Sequence, residues 1–210
     1  MNWDSYFEMM KDWKKLPAYK AEPRIDSLIG YYLNDILSDF CEDNMVGIIP
    51  EFPIRLGTID SKHEETAYAD RSYKVDFFLK SISGNNYFVE FKTDSSSRRD
   101  KQDWYLKEAS NRGMREIVGG VVRIASVSSY KKKYDHLLSK LEHLDLINEN
   151  REYIGTSSGI DIIYIQPNNN NQRDDVIITF DWISNWLTGK YGNNEFATNF
   201  SSALSSWSND

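Results

Sequence analysis

VDFFLKSISGNNYFVEFKTD, Val75 to Asp94, decides the reading of this chain. Two apolar runs flank Ser83-Gly84-Asn85-Asn86, a turn composition that predicts an antiparallel β-hairpin. Three charges interrupt the runs. Asp76 lies near the start of the first. Glu90 and Lys92 lie two apart in the second, and side chains two apart share a face of a strand. The hairpin could bring Asp76 near Glu90, or slightly beyond it. Two neighbouring carboxylates repel unless a cation neutralises them. Magnesium takes one or two carboxylates plus waters and phosphate oxygens. The carbonyl of Phe91, between the two charges, offers a further oxygen. The competing reading makes all three charges an ordinary solvated face.

Outward from the hairpin the pattern alternates in type. EPRIDSLIGYYLNDILSDF predicts a helix from about Arg24 to about Phe40, since Ile25, Leu28, Ile29, Tyr32, Leu33, Ile36 and Leu37 recur at helical spacing. The aromatic and charged residues before it predict a short helix, with Pro17 and Pro23 in the link. MVGIIPEFPIRLG is β-branched, and Pro50 and Pro53 predict an edge or interrupted strand. Ser61 to Ser72 reads as a polar loop. After the hairpin, Ser95 to Ser97 offer caps for a helix from about Arg98 to Asn111, stopped by Gly113. Residues 114–128 fit a helix or a buried strand; helix is the preferred reading, against Gly119 and Gly120. KKKYDHLLSKLEHLDLIN is an amphipathic helix. IDIIYIQP has the apolar continuity of a central strand. VIITF is another strand, and DWISNWL a short helix capped by Asp181. The Ser- and Asn-rich tail reads as loose. The fold class expected is α/β, a mixed central sheet flanked by helices. A single domain is expected, with its core at about 24–166, a strand and helix at 174–189, and a tail at 190–210.

Composition narrows the function. The chain has 210 residues, 40% hydrophobic and 27% charged, with a net charge of −7. No apolar run approaches the roughly 20 residues of a membrane span. The first residues carry acids and no apolar signal core, so the cytoplasm is the expected compartment. Cys41 is the one cysteine, and three scattered histidines make no zinc site. The acidic balance disfavours a broad nucleic-acid surface but not a local basic patch.

Asp76, thirteen residues, then Glu90-Phe91-Lys92 at the end of an apolar strand resembles the PD-(D/E)XK phosphodiesterase superfamily of restriction endonucleases and RecB-like exonucleases. Val75 stands where the family name has proline. The resemblance covers about Arg24 to Gln166 and implies a restriction-endonuclease-like core. It implies a magnesium-dependent nuclease acting on DNA, with manganese as a substitute cation. Asp76, Glu90 and the Phe91 carbonyl would hold the metal, and Lys92 would assist the attacking water. Asp26, in the first turn of its helix, resembles the acid that many members bring towards the metal; a helix first-turn acid is the competing reading. Gln102 and Tyr105 resemble the Gln and Tyr of RecB-like members, at a spacing of three instead of four. Arg98, Arg99 and Lys101 would meet phosphate, as guanidinium groups and helix N-termini do. Trp104, Trp182 and Trp186 offer stacking surfaces, or simply core. A homodimer is compatible with the resemblance. The alternatives are an inactive nucleic-acid- or protein-binding member of the same fold, and an α/β interaction protein with a wet hairpin.

Overall fold

The computed structural model describes residues 3–13, 22–94, 98–157, 159–170 and 175–208. Pro17, Ser95 to Ser97 and part of the polar run at 167–175 lie outside them. The chain is mixed α/β. Its strands are β1 (Met45–Arg55), β2 (Ser72–Ser81), β3 (Asn86–Phe91), β4 (Asp161–Gln166) and β5 (Val176–Thr179). They form one sheet in the order β1-β2-β3-β4-β5. The sheet is mixed: β1, β2 and β3 pair antiparallel, whereas β4 and β5 pair parallel. The helices are α1 (Trp3–Trp13), α2 (Glu22–Phe40), α3 (Leu56–Ile59), α4 (Asp100–Arg112), α5 (Met114–Val127), α6 (Lys131–His143), α7 (Phe180–Tyr191) and α8 (Glu195–Trp207). Among the described residues, no helix is long and apolar enough to cross a membrane.

The chain folds as two compact units, each assembled from separated segments. The first contains residues 1–36, 90–98 and 163–210; the second contains 37–89 and 99–162.

The second unit carries the hairpin as the turn residues require. Phe77 pairs with Val89 and Lys80 with Asn86, and Gly84 takes a φ of 93°, a conformation that costs glycine little. β1 is an edge strand, as its prolines predict, and Glu51 between them has a φ of 52°. That irregularity and the prolines blunt an otherwise long edge. Phe52 and Phe78, both buried, meet at 5.0 Å. Residues 114–127 are helical. Ile117, Val121 and Ile124 form the buried stripe, and α5 packs on β1. The segment read as a polar loop starts with a 3₁₀ turn, Ser61–His63, capped by Asp60.

The first unit is built on aromatic packing. Phe7 stacks on Phe200 at 5.6 Å, and Tyr32 on Phe196 at 6.3 Å. Here the loose tail is corrected. Residues 195–207 form α8, capped by Asn194, which accepts the Ala197 N–H at 3.0 Å. Phe200, Leu204 and Trp207 recur every three or four residues, all fully buried. α7 and α8 are joined by a buried hydroxyl contact, Ser184 Oγ to Ser201 Oγ at 2.8 Å. The cap of α7 is Thr179, which accepts the Trp182 N–H; Asp181 sits one position inside the helix. α4 begins at Asp100, two residues later than the sequence suggests.

Candidate active site

The Glu-x-Lys segment belongs to the first unit. Glu90 and Phe91 end β3, and Lys92 follows. Glu90 is 0% exposed and Lys92 3%, so neither lies on a solvated face. Lys92 Nζ donates to Glu90 Oε1 at 2.8 Å and to the Phe91 carbonyl at 3.0 Å. The alternation of the strand puts both charged side chains on one side, while Phe91 stacks on Phe180 at 5.9 Å. Lys92 N–H donates to Ile165 O at 2.8 Å, fixing the segment against β4. A buried charge survives only when it is paired and hydrogen-bonded, and this pair satisfies that condition.

The next residue of β4 is Gln166, 3% exposed, which the sequence reading passes over. Its Nε2 donates to Asn168 O at 2.6 Å. Its Oε1 is buried and has no hydrogen-bond partner among the described residues. A buried acceptor left unsatisfied costs on the order of 1–3 kcal/mol. The available signal was a lone amide at the end of an apolar run, IDIIYIQP.

Glu90 Oε1, the Phe91 carbonyl and Gln166 Oε1 are hard oxygen donors. Their chemistry suits a hard divalent cation. Among the described residues, no three His, Cys, Asp or Glu side chains gather in a metal-holding group. A cation here would therefore draw on carbonyl, amide and water oxygens beside its carboxylates.

The other expected residues are distributed as follows. Asp26 is half-buried on α2 in the first unit. Arg98, in the same unit, points inward. Its side chain is 2% exposed, it pairs with Asp175 Oδ2 at 3.0 Å, and its guanidinium lies 3.6 Å over the Tyr164 ring. This geometry gives Arg98 an interior packing role. Asp76 is half-buried on β2 in the second unit, between buried Val75 and Phe77. Gln102 and Tyr105 are half-buried on α4 in that unit, and Tyr105 meets Tyr73 at 5.0 Å. Arg99 and Lys101 are exposed at the start of α4. A second residue missed by sequence reading is Asp103, a carboxylate buried on the α4 stripe with Leu106 and Ala109. Its helical phase was the signal. Trp104 is 40% exposed, while Trp182 and Trp186 are half-buried.

No family model, curated protein or solved structure matches the chain.

Proposed function

We propose that the chain is a metal-dependent nuclease of the PD-(D/E)XK kind that hydrolyses phosphodiester bonds in DNA. The observation that carries the reading is the buried Glu90–Lys92 pair, with the Phe91 carbonyl between them and Gln166 Oε1 on the adjoining strand. A carboxylate and an ammonium two residues apart on a strand are common on a wet face. They are rare where water is excluded, because burial is costly unless the charges serve something.

In this reading Glu90, the Phe91 carbonyl and Gln166 would hold magnesium or manganese, and the resemblance assigns Asp76 and Asp26 to the same cation. A bound cation would supply a water of lowered pKa and neutralise charge on the phosphoryl group. Lys92 would donate a hydrogen bond to the attacking water or to the phosphoryl oxygen as negative charge develops. Gln102 orients the water or a phosphate oxygen. Arg99, Lys101 and Tyr105 meet the nucleic-acid backbone. Hydrolysis joins the water oxygen to phosphorus and breaks one phosphorus–oxygen bond to sugar.

One observation favours a second reading, an inactive binding member of the same fold. Lys92 Nζ already spans the two oxygens assigned to the cation, so this end of the site is neutralised without metal. The test is calorimetric titration of magnesium and manganese into wild type, Asp76→Ala and Glu90→Ala, with cleavage of single- and double-stranded DNA in parallel. The nuclease reading expects wild type to bind the cation and cut, and both variants to lose binding and cutting together. Absence of cation binding to wild type, with DNA present, rejects the enzyme and leaves the binding member.

A further inference from the structure

The second unit contains a cavity of about 650 Å³ between the β1–β2 edge and α6. That size falls within the roughly 300–1,000 Å³ of small-ligand sites. We infer that it is a nucleotide-binding site, holding an aromatic base against Tyr130 and Tyr134 and a phosphate against Lys133 and Lys140. The inference rests on its own residues and not on the chemistry assigned to Glu90 and Lys92.

The floor is apolar, formed by Ile49, Pro50, Pro53 and Leu137. Prolines on an edge strand leave that floor without a full row of backbone donors, so an apolar ring fits it better than an added strand. The wall is aromatic. Tyr130 is 67% exposed. Tyr134, half-buried one turn along, has its phenol pKa raised by burial, against an opposing pull from Lys74. Its hydroxyl therefore stays a neutral hydrogen-bonding group at physiological pH.

The rim is basic, on a chain whose net charge is −7. Lys74, Lys133, Lys140 and His136 line the cavity against one acid, Glu51. Glu51 is already paired with Lys74 at 3.0 Å. Lys133 and Lys140 form no ion pair among the described residues. Lys133 lies 5.7 Å from the Tyr130 ring. Positions 133, 137 and 140 follow an i, i+4, i+7 stripe, so both ammonium groups flank the apolar floor from one helix face. A merely solvated helix would distribute its acids along this stripe as well. Instead, the nearest acid of α6, Asp135, lines a different hollow. An unbalanced positive rim above an aromatic, apolar floor is complementary to an anion with a flat ring.

A free nucleotide and one unit of a single strand share this chemistry, and the experiment separates them. Adenosine monophosphate, adenosine, inorganic phosphate and a short single-stranded oligodeoxyadenylate would each be titrated into the full chain with chelator present. The protein set is wild type, Tyr130→Ala, Lys133→Glu/Lys140→Glu and Asp76→Ala, with thermal unfolding recorded for each. The inference expects adenosine monophosphate or the oligonucleotide to bind wild type. It expects Tyr130→Ala to weaken binding about tenfold, the loss of one base stack, and the double variant to abolish it. Asp76→Ala should bind as wild type does, which separates this site from the proposed nuclease centre. Preference for the monophosphate assigns a free nucleotide; preference for the oligonucleotide assigns a strand. No binding, equal binding by the cavity variants, or equally tight binding of inorganic phosphate overturns the inference.

Discussion

At the scale of single residues, two charged sites behave oppositely, the Glu90–Lys92 pair and Asp43. Lys92 and Glu90 are buried together, so removing one leaves the other charged and without water. Lys92→Met should cost about 3–5 kcal/mol of unfolding free energy, the usual cost of stranding a buried charge. Glu90→Leu/Lys92→Met should cost less than Lys92→Met alone, because the stranded carboxylate is gone as well. Urea unfolding midpoints of the single and double variants measure this, and additive losses would contradict it. Asp43 is the opposite case, a partly exposed acid at the hairpin turn. Burial raises its pKa, but hydrogen bonds from Ser81, Ser83 and Asn85 outweigh that and hold the carboxyl below its usual value. Ser83 Oγ and Asn85 Nδ2 both donate to its Oδ2. A depressed folded pKa gives stability that is present above the unfolded value, near 4, and is lost as pH falls through the folded one. Asp43→Asn should therefore be less stable than wild type at pH 6, with the difference shrinking below about pH 4. A difference that stays constant with pH would remove this assignment.

At the scale of elements, the hairpin, α2, α6 and the strand character of β4 and β5 were legible because their apolar spacing has one period each. Two elements were less so, for physical reasons. α5 carries Gly119 and Gly120, which lower helix propensity, and only packing explains them. A Cβ on Gly120 would come within 2.7 Å of Thr58 Oγ1 and 3.0 Å of Arg55 Cβ, whereas one on Gly119 meets nothing within 4 Å. Gly119→Ala should thus stabilise the protein by up to about 1 kcal/mol through helix propensity. Gly120→Ala should destabilise it through the clash, which exceeds the same gain. Opposite shifts in melting temperature from adjacent, identical substitutions are the signature; shifts of one sign would show that α3 does not pack tightly on α5. α8 was hidden by composition, since serines at Ser201, Ser202, Ser205 and Ser206 mask the spacing of Phe200, Leu204 and Trp207. The candidate site was legible only as a motif. Glu90 and Lys92 could be named from spacing, but their burial could not. Gln166 and Asp103 carried only weak signals, a lone amide ending an apolar run and a helical phase, because the burial of a polar residue shows only when its neighbours in space are known. Arg98 looked like a phosphate contact because Asp175 and Tyr164, which hold it inside, are distant in sequence.

At the scale of the whole molecule, neither compact unit is a continuous stretch of chain. The first draws on 1–36, 90–98 and 163–210, so the Glu90–Lys92 segment reaches its surroundings only after the C-terminal segment 163–210 is present. That C-terminal segment supplies what holds the motif: Ile165 O for the Lys92 N–H, and Phe180 for the Phe91 ring. It also supplies Phe200 for Phe7 and Tyr191, whose hydroxyl donates to Asp35 Oδ2 at 2.6 Å. A chain ending at Asn170 would keep the full sequence motif and lose β5, α7 and α8. It would expose Phe91 and leave Phe7 without its stacked partner, at about 25 cal/mol per Å² of apolar surface returned to water. Glu90 and Lys92 would then stand in water, where an ion pair contributes about 0–1 kcal/mol and positions nothing. The expected outcome is loss of a cooperative thermal transition and of near-ultraviolet aromatic ellipticity. Any cation binding by wild type should vanish with them, although Asp76, Glu90 and Lys92 are all retained. A truncated chain that still melts cooperatively would show that the motif segment is held by other contacts, and that the C-terminal helices are an addition to the fold instead of a support for its site.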